Sequence, residues 1–292
     1  MAKTYVLFNP HAGGCNGEAE AKKLDSILSE ELVYINMTEI ESYADFFSGI
    51  TPENGLIICG GDGTLTRFAR DTVGISYENE VRYFATGSGN DFYRDLENTS
   101  KGKPVVITDY LKNLPTVTVN GKTYPFLNGV GYGIDGYCCE KGDELRATTN
   151  KPINYTAIAI KGVLFHFKPR TATVSVDGKE YTFKRVWIAP VMHGRYYGGG
   201  MMMSPKQIRN NPEGTLTLGV FHNRGSIGTL ITFPKIFTGE HVNTTAVTEL
   251  VGKEFTVAFD RPTPLQIDGE TIKDVTSYSV SAYSPAKLKA TV

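Results

Sequence analysis

Asp62, Asp91, Asp135 and Glu270 are the residues whose types and settings can do chemistry, because each follows glycines or a turn at the end of an apolar run. Asp62 stands within Leu56 to Phe68, LIICGGDGTLTRF, where the apolar run stops at Gly60-Gly61 and Thr64 opens a segment able to turn helical. Glycines let backbone N–H groups approach an anion without a Cβ in the way. The start of a helix adds a positive dipole end, so the geometry suits a polyphosphate. In the same loop Asp62 is placed to hold a metal ion beside it. A bare GGDG is equally a βα turn that binds nothing.

Asp91 closes a second loop of this kind, Thr86-Gly87-Ser88-Gly89-Asn90-Asp91, after Val81 to Ala85, and Asn9-Pro10-His11-Ala12-Gly13-Gly14 breaks the run Tyr5 to Phe8 in the same way. In an open parallel sheet such loops gather at the carboxyl edge of the strands, where ligands bind. Three of them at corresponding ends favour a nucleotide site over three idle turns. The chain has no G-x-x-x-x-G-K-[ST], and GSGND does not have the G-x-G-x-x-G spacing, which disfavours a P-loop NTPase and leaves Rossmann hydride chemistry without its usual support. Asp135 ends the glycine-rich stretch Asn128 to Asp135, NGVGYGID. Asp268-Gly269-Glu270 closes a strand and, taken alone, reads as a hairpin turn with solvated carboxylates.

These residues need elements to hold them. Up to about Leu114 strand and helix patterns alternate: Tyr5 to Phe8 as a strand, Glu18 to Leu32 as an amphipathic helix, Val33 to Ile35 as a strand ending at Thr38, and Glu39 to Phe47 as a helix. Leu56 to Cys59 follows as a strand, Leu65 to Asp71 as a helix and Val81 to Ala85 as a strand. Beyond Leu114 hairpins take over, with Asn120-Gly121 and Asp177-Gly178 supplying the residues that type I′ turns demand. Further strand-like runs are Val186 to Val191, Leu216 to Phe221, Phe255 to Phe259 and Leu265 to Ile267. Helices are expected near Ile153 to Phe167 and Ile227 to Phe237, and apolar stripes at that spacing read as core in preference to a lipid-binding surface.

The 292 residues suffice for two domains. With 30 Lys plus Arg against 31 Asp plus Glu, the net charge of -1 argues against a nucleic-acid partner and makes any membrane contact peripheral and weakly electrostatic. No apolar run approaches the roughly 18 residues of a spanning helix, and no signal-peptide pattern opens the chain, so a cytoplasmic protein is expected. Cys15, Cys59, Cys138 and Cys139 lack metal-ligand spacing and are expected as reduced thiols.

Taken in order, NPHAGG, GGDGT, GSGND, NGVGYGID, YGGGMMMSP and QIDGE resemble the diacylglycerol-kinase catalytic family, in particular the soluble bacterial lipid kinases related to sphingosine and ceramide kinases. GGDGT alone is shared with NAD kinases and phosphofructokinase-like proteins, but its combination with GSGND and a late DGE is more specific. The resemblance spans Asn9 to Glu270 and implies an α/β + β chain. An open parallel, phosphofructokinase-like nucleotide-binding domain over residues 1–116 is followed by an antiparallel β-sandwich domain over residues 117–283, with the tail 284–292 returning to the first. It further implies ATP and Mg²⁺ as cofactors and a lipid acceptor. Peripheral membrane contact and a homodimer are among the expected partners, and no nucleic acid is.

Carried over position by position, the resemblance puts Asn9, Pro10, Gly13, Thr38, Gly60, Gly61, Asp62, Gly63, Thr64, Thr66, Ser88, Gly89 and Asn90 against the nucleotide. Asp62, Asp91 and Asp135 match the acidic network that holds catalytic Mg²⁺ through water. Glu270 matches the proton acceptor, with Asp62 as the rival base. Asn210, Glu213 and Thr215 fall where bacterial relatives hold a structural Mg²⁺, although those relatives usually have an aspartate in place of Glu213. Thr66-Arg67 stands where the family commonly has Asn-Glu, so either a base or ribose contact differs or Arg67 faces solvent on the helix. The implied activity is phosphorylation of a lipid hydroxyl. The alternatives are a kinase of a soluble acceptor such as NAD, which GSGND and DGE argue against, and a catalytically silent nucleotide- or lipid-binding sensor.

Overall fold

A computed structural model describes residues 2–96, 102–149 and 153–282 of the chain. Its contacts form two compact units, one up to Leu114 and the other from Pro115 onward. The expected return of the tail 284–292 lies outside the described residues.

The first unit is built on five strands: β1 (Thr4–Phe8), β2 (Leu32–Asn36), β3 (Gly55–Gly60), β4 (Val81–Ala85) and the short β5 (Val105–Val106). Their order is β2-β1-β3-β4-β5, parallel except for β5, which runs antiparallel to β4. The strands are near-continuous apolar runs because both faces are covered. On one face Val6, Phe8, Ile57 and Cys59 share a core cluster with Ala21 and Leu24.

The connecting helices are α1 (Ala12–Cys15), α2 (Gly17–Lys22), α3 (Tyr43–Ser48), α4 (Asp62–Asp71), α5 (Asp91–Asp95) and α6 (Thr108–Lys112). The aromatic rings of Tyr43 and Phe68 meet edge-on at 5.5 Å, and Phe47 stacks on Tyr77 at 4.4 Å, tying α3 to α4 and the chain beyond it. The helix expected to reach Leu32 stops early. α2 gives way to a 3₁₀ turn over Lys23–Ser26, and Leu32 opens β2 instead. An apolar residue two positions from a turn satisfies either period, and here the pairing of Leu32 with Thr4 wins.

The second unit contains β6 (Thr116–Val119), β7 (Lys122–Pro125), β8 (Gly129–Tyr132), α7 (Ile134–Arg146), α8 (Tyr155–Lys161), β9 (Arg170–Val176), β10 (Lys179–Val186), β11 (Val191–Met192), β12 (Tyr196–Tyr197), β13 (Met201–Met202), β14 (Leu216–Phe221), α9 (Ser226–Thr232), β15 (Val247–Gly252), β16 (Glu254–Ile267) and β17 (Glu270–Ser281). Apart from the small β12–β13 ribbon, the strands join one antiparallel sheet. β16 is the strand that folds it over: Phe255 to Phe259 pair with β9, whereas Leu265 to Ile267 pair with β8. The register shift between Ala258 and Thr263, at Pro262, marks the corner where the strand passes from one layer to the other. Val130, Val174, Val191, Leu218, Val257 and Leu265 interdigitate in the resulting sandwich core.

Both anticipated hairpins close as type I′ turns require, with Asn120 and Gly121 at φ 50° and 75° and Asp177 and Gly178 at 48° and 82°. Val186 to Val191 is not one strand. β10 ends at Val186, and Ile188 instead bridges Gly133 and Phe221. α7 was not anticipated, because its apolar positions are sparse and its start lies hidden behind the glycines of β8.

Candidate functional site

Gly60, Gly61, Gly87 and Gly17 explain how the loops at the ends of β1, β3 and β4 come together. A Cβ on Gly87 would lie 2.5 Å from the Cα of Gly61, so the second and third loops touch backbone to backbone. A Cβ on Gly17 would lie 1.9 Å from the carbonyl oxygen of Asn9, and one on Gly60 would lie 2.4 Å from Thr64 Oγ1. No larger residue fits any of these positions without moving backbone or a packed threonine. Around Gly63, by contrast, a Cβ meets nothing within 4 Å.

Between these loops lies a cleft of about 520 Å³ lined by Asn9, Ala12, Gly61, Asp62, Gly63, Thr64, Gly87, Ser88 and Gly89. It belongs wholly to the first unit. Asp62 occupies the first turn of α4, three residues before the expected helix start, with Gly61 as N-cap. Its carboxylate accepts the backbone N–H of Asp91 at 2.9 Å and of Phe92 at 2.8 Å. One side chain therefore spans from the loop after β3 to the start of α5, and Asp91 itself is buried there. Asn90 precedes it in the left-handed region and donates to the carbonyl of Gly87 at 2.6 Å.

The remaining expected nucleotide residues fall around this cleft without lining it. Pro10 and Gly13 lie in the loop after β1 and in α1, and Gly60 turns its carbonyl to Tyr83 Oη and to the N–H of Thr86. Thr38 sits in a 3₁₀ turn after β2, where its N–H and hydroxyl both donate to Asn36 Oδ1. Thr66 is buried within α4, while Arg67 projects to solvent and pairs with Asp71 one turn on, at 3.4 Å. Packing sets that phase: complete burial of Phe68 contributes about 2 kcal/mol, more than the helix preferences of Thr66 and Arg67 can oppose. Ala12, within the loop from Asn9 to Gly13 expected against the nucleotide, lines the cleft, and so does Gly87, which was not among the expected contacts. Gly87 could have been read from its place in GSGND.

In the second unit Asp135 lies in the first turn of α7, partly buried beside the Gly133 turn. Its Oδ1 accepts the N–H of Gly136 and its Oδ2 accepts the hydroxyl of the buried Tyr197 at 3.2 Å. Burial raises its pKa to about 6, against the opposing pull of those two donors. Tyr197 opens the YGGGMMMSP stretch, and its partnership with Asp135 joins positions that no spacing rule connects.

Glu270 is exposed at the first position of β17, paired with Ile267. Its neighbour Asp268 is not the solvated turn carboxylate that the sequence suggests. It accepts the N–H groups of Leu127 at 2.7 Å, Asn128 at 2.8 Å and Gly129 at 3.1 Å, fastening the hairpin tip to the start of β8. Beside it the Arg209 guanidinium donates to the carbonyl of Leu127 and, at 2.9 Å, to Asn128 Oδ1. His193 stacks its needs on the same carbonyl, and burial first, then Arg209, depress its pKa to about 3, so it stays neutral.

Of the residues expected to hold a structural cation, Glu213 is exposed and Asn210 is in the left-handed region at φ 52°. Thr215 is engaged throughout: its N–H and hydroxyl donate to Asn211 Oδ1, and its carbonyl accepts from Asn211 and Gln207. This loop is closed by an amide side chain. Among the described residues no three His, Cys, Asp or Glu side chains gather as a metal-binding group.

Residues 3–119 match the family profile described as diacylglycerol kinase catalytic domain. Residues 128–291 match the one described as YegS C-terminal NAD kinase beta sandwich-like domain. A relative from Bacillus subtilis (strain 168), "Putative lipid kinase YtlR", is 24% identical over 311 residues that take in 99% of this chain and 100% of that protein. A "Diacylglycerol kinase" from Mycobacterium tuberculosis (strain ATCC 25618 / H37Rv) is 22% identical over 196 residues, 65% of this chain and 62% of that protein. The fold is similar to that of a protein from Bacillus anthracis str. Sterne solved as "a putative diacylglycerol kinase", with a TM-score of 0.63, 17% identity and coverage of 97% and 96% of the two chains. Glycine loops at the ends of three neighbouring strands, a carboxylate locked across two of them and both profile matches thus lead to one conclusion: this chain belongs to the diacylglycerol kinase catalytic-domain family and carries the YegS-type C-terminal domain.

Proposed function

We propose that the protein transfers the terminal phosphoryl group of ATP, with Mg²⁺, to the hydroxyl of a lipid, diacylglycerol or a related glycerolipid or sphingoid base. The observation that carries this reading is the cleft of the first unit, with Asp62 held across two of its glycine loops. Phosphoryl transfer asks a protein chiefly to position oxygens in line and to neutralise spreading charge. The backbone from Gly61 to Thr64 and at Ser88 and Gly89 lines a space of the right kind for phosphates, with the first turn of a ten-residue helix at its wall.

Asp62 and Asp91 would hold Mg²⁺, a hard cation that prefers carboxylate oxygens and supplies charge neutralisation at the phosphates. Their oxygen donors and the two amides that fix Asp62 suit that ion. For the second unit the roles rest on the family correspondence: Asp135 as a further acid on the metal side and Glu270 as acceptor of the hydroxyl proton. The exposure of Glu270 lets it meet a substrate hydroxyl without rearranging its strand. The structural cation on Asn210, Glu213 and Thr215 forms no part of this proposal.

The test is phosphotransfer from labelled ATP by the purified protein, with lipid micelles and NAD offered side by side. Labelled lipid is expected. Glu270→Gln should lower turnover by about a hundredfold or more while leaving nucleotide affinity in place, and Asp62→Asn should abolish both turnover and its Mg²⁺ dependence. Label in NAD alone, or full turnover by Glu270→Gln, would overturn the acceptor or the base assignment respectively.

A further inference from the structure

α7, which carries Asp135 in its first turn, packs on the hairpin formed by β16 and β17. A Cβ on Gly136 would lie 2.1 Å from the carbonyl oxygen of Pro264, so helix and strand touch backbone to backbone. Two turns along the helix, Asp143 Oδ2 accepts the hydroxyl of Thr271 at 2.9 Å, and Thr271 is the residue that follows Glu270. The helix bearing Asp135 is thus anchored on both strands of the hairpin whose turn delivers Glu270.

Gln266 reaches from the Asp135 carboxylate to that turn. Leu265 and Ile267, on either side of it, enter the sandwich core, as do Val130 and Tyr132 on β8. Alternation therefore sends Gln266 and its register partner Gly131 to the opposite face, under α7. There a Cβ on Gly131 would lie 2.0 Å from Asp135 Oδ2 and 2.5 Å from Gln266 Nε2. Carboxylate and amide share the space that any larger residue at 131 would fill. At the other end of the amide, Gln266 Oε1 accepts the N–H of Gly269 at 2.6 Å. A backbone N–H can only donate, so the amide has one orientation, with its oxygen toward the turn and its nitrogen toward Asp135.

This contact does more than satisfy a stranded group. Gly269 is exposed, so water could serve its N–H equally well, whereas Gln266 is buried where an apolar side chain of the same length would pack at less cost. Charge explains the choice of an amide. An acid at this position would repel Asp135 and a base would neutralise it, while glutamine spans the same distance and leaves the carboxylate its charge. Asp268 is already fixed by the three amides at the start of β8, which leaves the path from Gly269 into Glu270 for Gln266 to decide.

We propose that Gln266 is a positioning residue for phosphoryl transfer, holding the turn that presents Glu270 in register with Asp135. The proposal rests on the lipid-kinase reading and on Glu270 as acceptor of the hydroxyl proton. A base displaced by about 1 Å from its productive place costs on the order of a hundredfold in rate, so a hydrogen bond that sets the turn is felt in turnover before it is felt in binding.

The test is a double-mutant cycle on the full chain, with labelled ATP and a water-soluble short-chain diacylglycerol. Gln266→Met, close in volume but without the amide, should lower kcat by about tenfold or more and leave KM for ATP and for the lipid within about twofold. In the background of Glu270→Gln the same change should cost less than about twofold, because the group it positions is already gone. Melting temperatures accompany each variant, and Gln266→Asn, an amide too short to reach both partners, is read in the same cycle should the methionine variant fail to fold. Native turnover by these variants would overturn the proposal. So would an equal loss in both backgrounds, which is the mark of a general structural defect, or full turnover by Glu270→Gln alone. A native protein that labels no lipid would refute the kinase reading and this role with it, whereas an active protein with an additive cycle refutes the role of Gln266 alone.

Discussion

Arg82 in β4 shows how much of this chain is settled by single side chains that no local pattern reveals. Its guanidinium donates to both carboxylate oxygens of Glu30, at 2.8 and 2.6 Å, and at 3.1 Å to Thr4 Oγ1, tying β4, β1 and the turn before β2. Arg82, then Thr4, hold the Glu30 carboxyl down from 4.5 to about 2, against some desolvation. A depressed carboxyl stabilises the fold above its ordinary pKa and loses that contribution as pH falls toward the depressed value. Glu30 is well exposed, so solvent screening leaves about 1 kcal/mol. Glu30→Gln should therefore lower the unfolding free energy obtained from urea denaturation at pH 7 by about that amount, with the gap closing between pH 4.5 and pH 2. A gap unchanged across that range would deny the ion pair its role. The same blindness affected the site. GGDGT and GSGND were legible because glycine is demanded where backbones touch, but the capture of the Asp91 and Phe92 amides by Asp62 was not, since the partners stand about thirty residues away.

At the level of elements, boundaries were legible where one period dominated. β4 begins and ends where alternation and the following glycine loop put it, whereas the stretch from Glu18 to Leu32 satisfied a helix and a strand at once and was divided between them. The Asp-Gly turns were legible as turns and not as locks. Asp177 Oδ1 accepts the N–H groups of Lys253 and Glu254 where β16 begins, and Asp268 does the same for three amides where β8 begins. In both hairpins the aspartate that permits the left-handed turn also fastens it to a strand far away in sequence. Asp268→Ala strands three amides in a partly buried place, and unpaired groups of that kind cost about 1 to 3 kcal/mol each. The second unit should lose about 3 kcal/mol or more in chemical denaturation, and Asp268→Asn, which keeps one acceptor oxygen, should lose less. A loss under about 1 kcal/mol would mean that water replaces the lock.

For the whole molecule, strand–loop–helix alternation giving way to hairpins made the two architectures legible, since a parallel sheet needs crossovers and an antiparallel one does not. What could not be read was the path of β16, because a fourteen-residue strand interrupted by two prolines looks like two separate strands in the sequence. Its pairing with β8, β9 and β17 has a consequence for how the protein is made. The first unit can complete its sheet once Val106 has been synthesised, its last strand being β5. In the second, Tyr132 awaits Leu265 and Val176 awaits Phe255, so β8 and β9 emerge long before their shared partner and must wait with open edges. A chain ended before Glu254 should accordingly resist protease up to Leu114 and be digested beyond it. Protection of residues 115–253 in that fragment would show that the sandwich forms without its bridging strand. On the ribosome, this half of the molecule is therefore expected to complete its sheet after the first, once β16 and β17 have emerged.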